Sequence, residues 1–397
     1  MPEQPSATRQ HYLDWLRVLS ILVVFIFHSG RFFDPIFWHV KNPHTYPAVQ
    51  IWTSFLAVWM MPLIFVISGA STFLALGSRV GAEFIRERVL RLLVPLIVGI
   101  FTHVAVQVYL ERLSHHQFNG SFFDFYPRYF QGLYTSGGNF AWFGMHLWYL
   151  EALFIFSVIF LPLLLWLKRQ TGRRLLEGLG NLVARPGVIY LLAVPVILLL
   201  ACPNPATFLT SRDWGGWSLV AYIPFFLNGY LIVSHAGIRT RIQNSRWLSL
   251  GMSAVVTIVV MGLWVSEGEP VYGSLHYTVL FSLFALAAWC WILAIWGFGM
   301  KHLNFDRPLL KYANEGVLPF YVMHQTVLLC VGYFVVPTNL PDLLKAIVIS
   351  SSSFVLIAAA YEYAIRRNNV LRFLFGMKPR RLTRPVEEVP TLTPVAR

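Results

Sequence analysis

Charge is scarce in this chain, and acidic charge scarcer still. Only 12% of its 397 residues are charged, and 18 Asp and Glu stand against 31 Lys and Arg. A soluble domain carries roughly twice that charged fraction, so a water-solvated surface is excluded for most of the chain. Cysteine is nearly absent. Cys202, Cys290 and Cys330 fall in or beside apolar runs with no metal-ligand spacing, which argues against a disulfide framework or a zinc site and leaves them as small core residues. No Gly-x-Ser-x-Gly elbow is present to offer a hydrolase serine. The first apolar run lacks a small-residue cleavage site and carries Arg17 and His28, so it reads as a retained helix and not as a cleaved signal.

What the chain has is apolar length. Hydrophobic residues make up 56% of it, and ten runs approach the roughly 20 residues that span a bilayer core. They are Leu16–Phe33, Gln50–Leu76, Leu92–Tyr109, His146–Leu167, Val188–Cys202, Trp217–Val233, Trp247–Val265, Tyr277–Phe298, Val317–Val336 and Ala346–Ile365, the fifth being short. The pattern predicts an all-α, polytopic membrane helix bundle of about ten transmembrane helices. With a cytosolic N-terminus, 25 of the 31 basic residues fall in inside segments; only Arg31, Lys41, Arg112, Arg128, Arg212 and Lys345 remain outside. That bias is the positive-inside pattern and puts both termini in the cytosol. It also accounts for most of the net charge of +13 without a nucleic-acid partner.

Polar groups inside such spans are expensive and mark candidate sites. Arg17 and His28 lie eleven residues apart in the first run, so they return to within about 20° of one helix face and sit roughly 16 Å apart along it. Asp14 shares that face and can pair with Arg17. The plain alternative is that both residues only mark helix ends at the interfaces. In FIRERVLRLLVP, Arg88 and Arg91 share a face at the cytosolic surface and suit a phosphate clamp, or serve as ordinary topology charge. His146 and Glu151 open the fourth run at about the depth expected for His28, where a carboxylate could orient an imidazole or find a structural partner. His324, followed by Gln325, is a further intramembrane histidine whose alternative role is packing. The long segment Glu111–Met145, rich in aromatics, is expected on the outer face as a lid or acceptor platform.

Taken in order, LDWLRVLSILVVFIFH, WHVKN, MPLIFVISG, RERVLRLLVP, HLWYL, IPFFLNGYL, YVMHQTVLL and LRFLFGMKP make the chain resemble the membrane acyltransferase 3 family, in particular its glucan biosynthesis protein C branch, over nearly its whole length. The resemblance implies a bacterial inner-membrane, multi-pass O-acyltransferase. Such an enzyme moves an acyl group from cytosolic acyl-CoA, succinyl-CoA or acetyl-CoA, to hydroxyls of an extracytoplasmic carbohydrate such as periplasmic glucan. It carries the family's essential Arg and His onto Arg17 and His28, and its Arg-x-x-Arg element onto Arg88 and Arg91. Glu151 is not carried over, and His324 matches a histidine of the branch.

The expected division is a transmembrane acyltransferase domain over residues 1–365 and a basic, partly disordered cytosolic tail over 366–397. No permanently bound cofactor or metal is expected. Arg17, Arg88 and Arg91 are the candidate donor-binding residues; His28, Arg17, Glu151 and His324 are the catalytic candidates, with His28 as general base. The competing reading is a transporter or flippase for an anionic or carbohydrate substrate, in which the same buried groups line a permeation path.

Overall fold

The computed structural model describes residues 10–77 and 79–380. The first nine residues and the far end of the basic tail lie outside the described residues. Among those described there is no strand, only isolated bridges between Leu133 and Phe140 and between Trp214 and Trp217.

Among the described residues, fourteen helices build the bundle: α1 His11–Gly30, α2 Pro47–Leu76, α3 Gly81–Ser114, α4 Phe122–Tyr129, α5 Met145–Ile159, α6 Leu161–Leu167, α7 Gln170–Val183, α8 Val188–Ala201, α9 Leu219–Ser234, α10 Ala236–Glu267, α11 Leu275–His302, α12 Pro308–Val335, α13 Asp342–Ile365 and α14 Asn369–Leu374. Seven of them are long and apolar enough to cross a membrane, or nine spans result if α5 with α6 (bent by 52°) and α7 with α8 (bent by 116°) each count as one. The shorter apolar α9 is the tenth segment, and all ten runs read from the sequence fall on these elements. The fifth run, α8, departs most from a regular span. It starts as a 3-10 helix before Pro195, and the basic, amphipathic α7 leads into it nearly crosswise.

Helix α1 carries the register of the bundle. Arg17 bonds Asn314 and His28 bonds His324, so pairs eleven residues apart on α1 meet pairs ten apart on α12. The two helices therefore run side by side in the same direction. An odd number of crossings must separate them, which is the number obtained when α9 counts as a crossing along with both bent pairs.

Burial ranks the helices. In the most apolar stretch of α2, 67% of residues are buried, and in α11 61%, against 22% in α10 and α13. The first two are central, whereas α10 shows Val255, Ile258 and Val265 outward as a lipid-facing surface. Between α2 and α9 the backbones touch. A Cβ on Gly69 would lie 1.8 Å from the Phe226 carbonyl oxygen, and one on Gly229 would lie 1.9 Å from that of Val66. Small residues permit such close helix crossings in membranes, which explains the glycines of ISG and LNGY.

Helix α3 is broken twice into π-turns, Val89–Leu93 and Ile100–Val104, flanking Pro95. Proline cannot donate to the carbonyl four residues back and clashes with it, so the ladder widens there. The affected carbonyl, that of Arg91, is where the chain end docks: a Cβ on Gly376 would lie 2.7 Å from it, and Gly376 has φ of +68°. Arg372 of α14 is buried, pairs with Glu315 at 2.8 Å and donates to the Lys378 carbonyl. Residues 366–380 are thus packed against α3 and α12.

Candidate active site

The two ends of the polar stripe on α1 sit in different surroundings. At one end Arg17 donates to Asp14 (3.1 Å), to Asn314 of α12 (2.9 Å) and to Ser71 of α2 (2.7 Å). It lines a cavity of about 420 Å³ together with Asp14, Arg79, Glu87, Arg88, Arg91 and Lys378. The structure thus brings the three predicted donor-binding arginines into one cavity. Arg88 reaches Thr72 at 3.0 Å and lies over the Phe84 ring. Glu87 takes Arg79 at 2.6 Å and approaches Arg91 at 3.6 Å. Five cationic side chains thus face two carboxylates, so the cavity carries a surplus of positive charge.

At the other end of α1, His28 Nδ1 lies 2.9 Å from His324 Nε2, and His324 Nδ1 lies 2.5 Å from the carbonyl oxygen of Tyr321, one turn back on α12. His28 is also stacked on Trp38 at 5.4 Å and 18°, with the Arg31 guanidinium 5.4 Å from the same indole. His146 completes the group, its ring 5.1 Å from that of His324. The loop that brings Trp38 in is pinned by Asp34, which is fully buried and bonded by Arg31 (2.5 Å), Lys41 (3.0 Å) and Thr53 (3.2 Å). Burial pulls the Lys41 ammonium below its ordinary pKa, while its bond to Asp34 pushes it back up.

Behind the histidines lies a buried polar chain whose directions are fixed, because carbonyls and carboxylates only accept. Gln325 donates to Gln107 Oε1 (3.0 Å) and to His39 Nε2 (3.3 Å). The Gln107 amide donates to His146 Nδ1 (3.1 Å) and to Thr326 (2.7 Å), and His146 Nε2 donates to the Val322 carbonyl (3.1 Å). His39 Nδ1 donates to Glu111, which also accepts from Tyr134 (2.7 Å) and Arg112 (3.0 Å). Burial and that carboxylate hold the Tyr134 hydroxyl above its ordinary pKa, so it remains a donor. Both amides thus place both of their N–H groups, as a low-dielectric interior demands.

A line of hydroxyls joins the two ends. Ser71 touches Arg17, Ser68 one turn away on α2 bonds Tyr149 at 2.6 Å, Tyr149 packs edge-on against Tyr321, and Tyr321 donates to the His146 carbonyl.

Of the residues singled out in the sequence, His28, His324 and His146 share one cluster, and Arg17, Arg88 and Arg91 one cavity. Glu151 joins neither. It is half-buried on α5 and makes no hydrogen bond or ion pair among the described residues. The carboxylate that meets a buried histidine, His39, is Glu111, which sequence reading placed at the start of an outer segment. That segment is more structured than a loop: α4 is capped by Ser121 and Asp124 and packs on α3. His39, Gln107, Tyr149, Tyr321 and Lys378 were also missed as site residues, although all but Gln107 belong to the motifs quoted above.

A family model described as an acyltransferase domain, acyltransferase 3, matches residues 10–362. Among known proteins, the chain is similar to the glucans biosynthesis protein C of Salmonella paratyphi B and of Salmonella dublin, 23% identical to each over 94% of this chain and 96% of theirs. With the same-named protein of Salmonella paratyphi A it shares 22% over the same spans. No solved structure matches.

Proposed function

This chain belongs to the acyltransferase 3 family and is a multi-pass membrane acyltransferase, and on that premise we propose that it transfers a succinyl or acetyl group from cytosolic acyl-CoA to hydroxyls of an extracytoplasmic glycan. The glucan acceptor is taken from the names of its relatives. The observation that carries the proposal is the placement of a cationic cavity and a histidine cluster at opposite ends of one helix face, about 16 Å apart. That distance is comparable to the extended pantetheine arm of CoA.

In this reading the arginine end faces the cytosol of a bacterial inner membrane, with both chain termini on that side. Arg17, Arg88 and Arg91 hold the CoA phosphates through charge-assisted hydrogen bonds. The pantetheine arm follows the hydroxyls of Ser68, Tyr149 and Tyr321 towards the outer end. There His28 takes the proton of the acceptor hydroxyl as its oxygen attacks the thioester carbonyl. The C–S bond then breaks, and the imidazolium returns the proton to the CoA thiolate. No enzyme nucleophile is required.

The test is chemical turnover without a gradient. Detergent-purified protein given succinyl-CoA or acetyl-CoA and glucan oligosaccharides should release free CoA and acylate the sugar, with mass spectrometry of envelope glycans from cells with and without the protein naming group and acceptor. Transport of either substrate with no CoA release would favour the transporter reading and refute this one.

A further inference from the structure

We propose that His324 is the positioning residue of the acyl transfer: it selects the tautomer of His28 and receives the hydrogen bond of the imidazolium that forms there. The inference rests on the reading of His28 as general base. Its starting point is the carbonyl of Tyr321. That oxygen can only accept, so His324 Nδ1 carries the proton and donates to it. A neutral His324 ring then has a lone pair at Nε2, and the 2.9 Å contact with His28 Nδ1 has one direction: His28 Nδ1–H donates and His324 Nε2 accepts. The proton of neutral His28 therefore sits on Nδ1, and its basic lone pair on Nε2.

This arrangement is not what an untethered histidine adopts. In water a neutral imidazole side chain carries its proton mostly on Nε2, which would leave the basic nitrogen of His28 turned to His324 and useless to substrate. The backbone of α12 thus reaches through His324 to His28 and reverses that preference. Nε2 of His28 has no hydrogen-bond partner among the described residues, and His28 keeps partial exposure while His324 has none. When Nε2 takes the acceptor proton, the Nδ1–H bond to His324 becomes charge-assisted and strengthens. The proton goes no further than this histidine pair, because His324 Nδ1 is tied to a carbonyl that cannot relay it, and so it remains available through His28 to the departing thiolate. The logic parallels a base held by an orienting partner, except that the partner is a neutral imidazole and so adds no second charge to a buried site.

The experiment pairs His324→Leu, which removes the acceptor, with His324→Gln, whose side-chain oxygen reaches about as far as Nε2 and can accept from His28 Nδ1–H. Ring-15N-histidine protein in nanodiscs reports the tautomer directly, the His28 signals being those missing from His28→Gln. Wild type should show His28 protonated at Nδ1, His324→Gln should retain that state, and His324→Leu should revert to the Nε2–H form. Turnover of acyl-CoA should fall by at least about 10²-fold in His324→Leu with the KM for acyl-CoA unchanged, and recover to within about tenfold of wild type in His324→Gln. An Nε2–H tautomer in wild type, or one indifferent to His324→Leu, overturns the proposal, as does equal loss of turnover in both variants. A switched tautomer in His324→Leu with wild-type turnover would instead refute His28 as the base, which separates the failure of the two readings.

Discussion

Charge inside the arginine cavity makes a prediction of opposite signs. Arg88→Ala removes a guanidinium that Thr72 and Phe84 already hold in place, so little ordering entropy is recovered to offset the lost contact. A hydrogen bond to a charged partner contributes about 1.5–3 kcal/mol, hence CoA should bind roughly 10- to 100-fold more weakly. Glu87→Gln acts the other way. Glu87 neutralises Arg79 and Arg91 and would repel an incoming phosphate. At a separation of ~8 Å and an effective dielectric of ~20 that repulsion is about 2 kcal/mol. Glu87 is 21% exposed, so screening brings this to about 1 kcal/mol, and CoA should bind about fivefold more tightly. Thermal-shift titration of each variant with CoA measures both, and the unliganded unfolding midpoint checks that neither has lost its fold. Unchanged affinity in Arg88→Ala, together with unchanged or weaker binding in well-folded Glu87→Gln, would refute the assignment of this cavity to the donor.

His28→Gln should bind CoA as wild type does, because the arginines proposed to hold its phosphates lie about 16 Å away, yet transfer acyl groups at least about 10²-fold more slowly in the CoA-release assay. Glu111→Ala strips partners from His39, Tyr134 and Arg112 at once and should destabilise the protein by about 3–5 kcal/mol, read as a lowered unfolding midpoint. Glu151→Gln should change turnover by less than about threefold, since Glu151 touches none of the cluster, and a larger loss would return it to the mechanism. Gly229→Ala drives a methyl into the Val66 carbonyl and should cost at least about 1–3 kcal/mol, so its yield of folded protein should drop while Gly251→Ala, with open space around it, should express normally.

The helix count, and the shared face of Arg17 and His28, were legible because each depends on one dimension only. Apolar length sets a span, and the period of 3.6 sets a face within one regular helix. The order of the motifs carried most of the rest. His39 and Trp38 lie in WHVKN, Tyr149 in HLWYL, Tyr321 in YVMHQ and Lys378 in FGMKP, so the strings that made the family recognisable are the strings whose polar members meet in space. Gln107 left a fainter trace, as an amide within the otherwise apolar run Leu92–Tyr109, where a polar side chain is expensive and asks for partners.

Glu151 shows what sequence could not supply. Depth along the membrane normal follows from position in a run, and by depth Glu151 was as good a partner for His28 as any residue. Azimuth around the bundle does not follow from depth. Gly144 and Met145 both take positive φ, 78° and 51°, and a 3-10 turn over Met145–Leu147 precedes the regular part of α5. That turn aims His146 at Gln107 and the Val322 carbonyl. Five residues further on, a helical side chain has rotated about 140° from the direction of His146, so a buried His146 aimed at the cluster carries Glu151 away from it. The carboxylate that the site does use is 72 residues from its histidine in the chain, and the two meet where α3 packs on α12 and Gln325 of α12 bonds both Gln107 of α3 and His39 of the loop after α1. A pairing of that separation is a property of the packed bundle and of no single helix, so two acidic residues at similar depths, Glu111 and Glu151, are distinguished only once the helices have neighbours.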